Sequence, residues 1–196
     1  MAEPEATGAM PIELDSQAFE GLEIPVDQPA KPSLLATEEE RLELLGRRGR
    51  SLDLVHLHTG ERLSLVLFEN EMPEGPMYKA VNRFLRDHYS GTVADMDPRL
   101  LSNLFNVMRQ LDIAHGSAEI ISGFRSQKTN NWLRKRSRKV ARNSYHTRAR
   151  ALDIRMNNVK LADLRDAARA ERTGGVGYYH RSQFVHMDTG PVRAWG

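Results

Sequence analysis

The stretch Ser144-Tyr145-His146-Thr147-Arg148-Ala149-Arg150-Ala151-Leu152-Asp153 decides how this chain is read. An imidazole sits in a polar turn, and seven residues later a carboxylate lies within Ala151 to Arg155, a segment that reads as a buried strand. A second histidine, His186, lies on the strand-like run Phe184 to Asp188, with Asp188 two residues on and therefore on the same side of that strand. Two neutral imidazoles and one carboxylate suit the first shell of a catalytic zinc, because three protein ligands leave a fourth position for water. Zinc would lower the pKa of that water to about 7, supplying hydroxide near neutral pH. Either histidine alone is more often an ordinary surface or core residue, so the weight falls on what surrounds them.

Outward from this stretch the pattern is mixed. Alternating leucines from Leu52 to His58 and from Leu63 to Leu67, joined through Thr59-Gly60-Glu61, predict a β-hairpin. Pro76 to Tyr89 and Pro98 to Ile113 have apolar residues at helical spacing with proline at the start. Glu119 to Ser122 reads as a short strand and Ser126 to Val140 as a basic helix capped by Ser126. Leu161 to Arg172 predicts a helix stopped by Gly174-Gly175, and Val176 to Tyr179 with Phe184 to Asp188 a closing hairpin. Strands and helices do not alternate strictly, which favours an α+β domain over a doubly wound sheet.

The chain has 196 residues, no Cys, 40% apolar residues and a net charge of +2. The lack of Cys excludes disulfide scaffolds, thiolate zinc sites, iron–sulfur clusters and a cysteine nucleophile. No apolar run approaches the roughly 18–20 residues of a transmembrane helix. The small net charge conceals a segregation. Residues 1–45 hold eleven acids against Lys31 and Arg41, whereas ten bases and no acid lie between Glu119 and Asp153. Residues 1–48, rich in proline, read as an acidic and mostly extended arm with one short helix from Thr37, and residues 49–196 as the folded domain. Met1 is not followed by a leader pattern, which leaves a cytoplasmic protein or one whose signal peptide has been removed.

The stretch at Ser144–Asp153 resembles the S-x-H-x-x-G-x-A-x-D motif of the zinc D-alanyl-D-alanine peptidases. Ser122-Gly123-Phe124-Arg125-Ser126 is similar to that superfamily's S-G-[YF]-R-S element, and Phe184-Val185-His186-Met187-Asp188 to its second histidine with H-x-D. Val55-His56-Leu57-His58-Thr59-Gly60-Glu61, Asp97-Pro98-Arg99-Leu100-Leu101 and Trp195 resemble the murein endopeptidase K branch of bacterial cell-wall hydrolases. The resemblance covers about residues 50–196 and implies a hedgehog/D-alanyl-D-alanine peptidase-like fold, a small antiparallel sheet with flanking helices. It implies Zn2+ on His146, Asp153 and His186, with peptidoglycan as the partner and hydrolysis of its peptide cross-links, or of a stem-peptide terminus, as the activity. Arg125 would hold a substrate carboxylate or the developing oxyanion. Ser122, Ser144 and Tyr178 would contact substrate, Ser144 alternatively capping the turn of His146 and one of Tyr178 and Tyr179 packing in the core. Such an activity places the protein in the periplasm or outside the cell, its signal peptide removed. The sequence identifies no regulatory protein partner.

Two departures stand out. Ala149 replaces the motif's glycine, which costs stability if the position needs a positive φ. Gln183 stands three residues before His186, where many superfamily members carry a glutamate base. Asp188 is then the first candidate for a catalytic base or for a group orienting a ligand, and His180 the next. A catalytically weak wall-binding protein that kept its zinc is the alternative reading. His56 and His58 read as structural parts of the hairpin, and His88 and His115 as ordinary residues at element ends. The basic helix 128–142 could bind nucleic acid, but Trp132 is its only aromatic, so a solvated face or a cleft edge that attracts an anionic polymer is favoured and no nucleic-acid partner is expected.

Overall fold

The structure, a computed structural model, describes residues 49–69, 74–137 and 140–196. The acidic arm and the helix expected from Thr37 lie outside the described residues. Seven strands form one sheet: β1 (Arg50–His56), β2 (Arg62–Leu67), β3 (His115–Ser122), β4 (Ala151–Met156), β5 (Gly175–Tyr179), β6 (Phe184–Asp188) and β7 (Arg193–Trp195). Among the described residues four α-helices accompany them: α1 (Gly75–Phe84), α2 (Arg99–Gln110), α3 (Gln127–Arg136) and α4 (Leu161–Ala170), with a 3-10 turn at Tyr145–Arg148.

The domain is α+β, as expected, but its sheet is neither small nor purely antiparallel. The strand order is β2-β1-β3-β4-β6-β5-β7. β1 and β3 run parallel, as do β5 and β7, and the other pairs are antiparallel. The parallel pair β1/β3 follows from chain geometry. After the β1–β2 hairpin the chain passes through α1 and α2 before returning beside β1, the kind of crossover a parallel pair requires. Leu52 and Leu54, Val81 and Phe84, Leu100, Leu104 and Met108, and Leu164 are buried together with Ile120, Ile154 and Val185.

Two helices are shorter than their apolar spacing suggests. α1 ends at Phe84 because Asp87 accepts hydrogen bonds from the Tyr89 amide at 3.0 Å and the Ser90 hydroxyl at 2.9 Å, folding 87–90 into a turn. α3 begins as read, with Ser126 accepting from the Thr129 amide, but stops at Arg136. Ser137 is extended just where cations crowd at consecutive positions, a repulsion that adding another helical turn would concentrate. β3 is longer than expected because His115 to Ser117 already pair with β1, and β7 is an element the sequence reading missed.

What the fold contributes to the site is one lateral row. A register shift between Ile120 and Ser122 brings Ser122 opposite Asp153. Asp153 pairs with His186, His186 with Gly177, and Gly177 with Trp195, so all share one face.

Candidate metal centre

Asp153 and His186 are neighbours on adjacent antiparallel strands, and the 3-10 turn lays His146 over them. His146 Nε2 lies 3.2 Å from His186 Nδ1 and 3.2 Å from Asp153 Oδ2, and His186 Nδ1 lies 2.8 Å from Asp153 Oδ1. A tetrahedral zinc with bonds of about 2.0–2.1 Å has ligand atoms about 3.3 Å apart, so this triangle is close to the size the ion needs. Among the described residues this is the one group of three metal-ligating side chains whose donor atoms converge within 4.8 Å.

The remaining ring nitrogens have their own partners. His146 Nδ1 is 2.7 Å from the Gly123 carbonyl oxygen, which can only accept, so that nitrogen carries the proton and Nε2 presents a lone pair. His186 Nε2 is 3.0 Å from Asp188 Oδ2, which likewise fixes Nδ1 as the nitrogen facing the centre. Burial lowers the pKa of His146. Burial opposes the charged form of His186 too, but bonds to Asp153 and Asp188 outweigh it and push its pKa up to about 9. Burial also works against the Asp153 carboxylate, yet the two imidazoles hold its pKa well below the usual carboxylate range. No Arg or Lys pairs with Asp153 among the described residues. A buried carboxylate neutralised only by imidazoles is a donor set that a divalent cation would satisfy.

Each part of the centre is held by nearby sequence. Gly123 is required where it stands: a Cβ there would come 2.6 Å from the Leu85 carbonyl oxygen. The flanking amides are clamped, Phe124 donating to Leu85 O at 2.7 Å, Arg125 to His146 O at 3.1 Å and Ser126 to Asp87 Oδ2 at 2.9 Å. Asp97 anchors the other side, its amide donating to Ala149 O at 2.8 Å and its carboxylate accepting from the Thr189 hydroxyl at 2.6 Å. Ala149 itself has φ +54°, so the motif's glycine position is left-handed here and alanine bears the strain.

The other expected site residues take definite places. Arg125 donates to Ser122 Oγ at 3.1 Å and approaches Asn130 Oδ1 at 3.5 Å, and no carboxylate among the described residues pairs with it. Ser122 is buried against that guanidinium, and Ser144 accepts from the His146 amide at 3.3 Å, so both hydroxyls have internal partners. Asp188 is fully buried and accepts from Gly175 N, Gly190 N and two nitrogens of Arg193 besides meeting His186. Burial raises its pKa, but these donors more than reverse that and hold it well below the carboxylate range. Gln183 is exposed in the β5–β6 turn, its amide donating to His180 O, and His180 is exposed beside it.

Of the two tyrosines, Tyr178 is the one that packs against the core. It pairs with Val185 on the face opposite His186, packs against the core, and has the Arg165 guanidinium 4.6 Å from its ring centre. Tyr179 shares the face of Gly177 and His186 instead, and its hydroxyl accepts from Trp195 Nε1 at 3.1 Å. Trp195 lies with its ring 5.4 Å from that of His186, over Gly177, where a Cβ would come 2.6 Å from the indole. The period-2 alternation from His186 could have found Tyr179 had the β5–β6 register been known.

Residues 45–195 match the family described as peptidoglycan L,D-endopeptidase MepK. The peptidoglycan L,D-endopeptidase MepK of Escherichia coli K12 is 42% identical over 148 residues, covering 76% of this chain and 81% of the relative. A Haemophilus influenzae protein described as a probable peptidoglycan L,D-endopeptidase MepK is 40% identical over 149 residues, 74% of this chain and 78% of its own. No solved structure matches. On the extent of that match, the chain belongs to the peptidoglycan L,D-endopeptidase MepK family.

Proposed function

We propose that this protein is a zinc-dependent peptidoglycan hydrolase, an endopeptidase that cuts peptide cross-links of the bacterial cell wall at an L,D bond, with a D-alanyl-D-alanine peptidase-like fold. The observation that carries this reading is the triangle of His146, Asp153 and His186 donor atoms at 2.8–3.2 Å, beside an arginine with no carboxylate partner among the described residues. The names of its relatives favour the endopeptidase over the carboxypeptidase form.

Zinc bound there would supply a Lewis acid and an acidified water. The chain's own residues do the rest. Arg125, held by Ser122, presents guanidinium donors to the substrate carbonyl oxygen as negative charge develops on it. Gly123 and Asp188 fix the tautomers of the two histidines, and Asp188 acts as the positioning residue for His186: its oxygens are taken up by donors and leave little capacity to accept a proton. Tyr179 accepts from the Trp195 indole, which leaves its own hydroxyl proton free to be donated on the site face. A wall-cutting enzyme of this kind works in the periplasm or outside the cell, and no helix among the described residues is long and apolar enough to cross a membrane.

Purified protein should bind close to one zinc per chain, and His186→Ala should lose both the zinc and muropeptide cleavage. Full turnover by the metal-free variant would overturn the reading. The exposed Gln183, in place of a glutamate base, favours a second reading, a wall-binding protein of little activity. Sacculi that are bound but release no products would support it.

A further inference from the structure

Between α3 and the segment leading to His146 lies an open recess of about 750 Å3 lined by Gln127, Asn131, Arg134, Lys135, Arg142 and Asn143. No catalytic role described above uses it. Its size is within the range of small-ligand sites, roughly 300–1,000 Å3, but its lining is cationic and amide-bearing rather than apolar. Arg134, Lys135 and Arg142 have no acid near them in the chain, which has none between Glu119 and Asp153, and no carboxylate among the described residues pairs with them. Three cations around one concavity, with no carboxylate partner among the described residues, attract an anion.

The recess has a held wall. Asn130 is fully buried, and its amide donates to the Ala141 carbonyl at 3.1 Å, fastening the segment that carries Arg142 and Asn143 to α3. The same side chain turns its oxygen toward Arg125 at 3.5 Å. One end of the recess therefore begins two residues after Arg125 at Gln127, and the other ends three residues before His146 at Asn143. A substrate whose reacting carbonyl lies at Arg125 and the metal ligands would extend along this side.

We infer that this recess is a subsite for a free carboxylate of the peptidoglycan stem peptide, held by Arg134, Lys135 and Arg142 at a distance from the bond that is cut. This deepens the peptidase reading and rests on it. Stem peptides carry free carboxylates along their length, and guanidinium and ammonium donors bind such groups through charge-assisted bonds. A nucleic-acid phosphate has the same sign, but the aromatic stacking that accompanies single-strand binding is not offered. Trp132 has the Arg136 guanidinium 3.7 Å from its ring centre and packs against Tyr89.

The test is a cycle on the zinc-loaded full chain, pairing wild type with a Lys135→Glu/Arg142→Glu double variant, and a muropeptide with free carboxylates against its amidated analogue. Both substituted residues are on the surface, and a Lys135→Gln/Arg142→Gln pair repeats the measurement without charge reversal. The expected result is a KM for the free acid about tenfold higher in the charge-reversed variant, kcat within about twofold, and a gap that narrows as salt rises. Amidation should raise the wild-type KM similarly and leave the KM of the Lys135→Gln/Arg142→Gln pair nearly unchanged. Equal KM values for wild type and both variants, or an amidation penalty equal in all, would overturn the subsite while leaving the peptidase intact. Charge-dependent binding of a labelled single-stranded DNA with an unaltered muropeptide KM would assign the recess to phosphates and overturn it too. A wild-type protein that neither binds nor cuts the muropeptide would remove the peptidase reading and this one together.

Discussion

At the residue scale, the candidate metal centre depends on groups outside the triangle of His146, Asp153 and His186. Asp188→Asn keeps the shape but removes the charge that faces His186 and Arg193, and loss of such an outer partner typically costs 10–100-fold in metal affinity. Chelator competition should show zinc binding weakened by that factor, and an unchanged affinity would mean His186 is oriented by its strand alone. Gly123→Ala should act similarly from the other side, because its methyl group must displace the Leu85 carbonyl and with it the Gly123 oxygen that holds His146. Ala149 is a matter of opposing magnitudes. Its left-handed backbone costs about 1–2 kcal/mol. Glycine there would give up about 0.8 kcal/mol of methyl burial and about 0.4–1 kcal/mol through the greater freedom of the unfolded chain. Ala149→Gly is therefore expected to change stability by no more than about 1 kcal/mol in denaturant melts, which explains how alanine can occupy a motif position usually held by glycine.

At the element scale, the strand pair β4/β6 and the turn before β4 were legible because the proposed ligand set requires their faces to agree before any register is known. Asp153 and His186 had to point the same way. The same logic does not reach β5, whose face depends on its register with β6, so only the register decides which of Tyr178 and Tyr179 packs in the core and which shares the site face. β7 is not legible because three residues carry no periodicity, although Trp195 belongs to the family resemblance. The histidines of the β1–β2 hairpin were read as structural, and their packing adds a physical consequence. His56 is buried and His88 half-buried with rings 5.3 Å apart, and His58 stacks on His88 at 4.2 Å. Among the described residues the Nε2 atoms of His56 and His88 have no hydrogen-bond partner. Burial, then the charge of His58, lowers their pKa from 6.5 to about 4 for His56 and about 3 for His88, while Glu61 and Asp87 only partly oppose this. Both stay neutral in the folded state where the unfolded chain takes up protons, so stability is full above pH 6.5 and falls as pH drops toward 4. Thermal melts at pH 7 and pH 5 should show that fall, and His88→Phe should reduce it. A melting temperature equally pH-dependent in the variant would locate the acid sensitivity elsewhere.

For the whole molecule, the centre joins parts of the chain that are far apart in sequence. His146 comes from a turn tied to β3 through Gly123, Asp153 from β4 in the middle of the sheet, and His186 from β6, whose end is bound to Asp97 through Thr189. A ligand that binds only when these segments are assembled stabilises the assembled state by RT ln(1 + [L]/Kd), about 2.7 kcal/mol when free metal is a hundred times Kd. For a domain of this size each kcal/mol moves the melting temperature by about 2–4 °C. Removing the metal with a chelator should therefore lower Tm by roughly 5–10 °C, and restoring zinc should recover it. His186→Ala should abolish the response to both treatments. Gln183→Glu should melt with the wild type and respond as it does, because its side chain lies in an exposed turn and bonds to His180 rather than to the centre. The same variant should leave muropeptide cleavage unchanged. A clear gain of activity in Gln183→Glu would mean that the β5–β6 turn folds over the site when substrate is bound, bringing position 183 within reach of the His146, Asp153 and His186 centre.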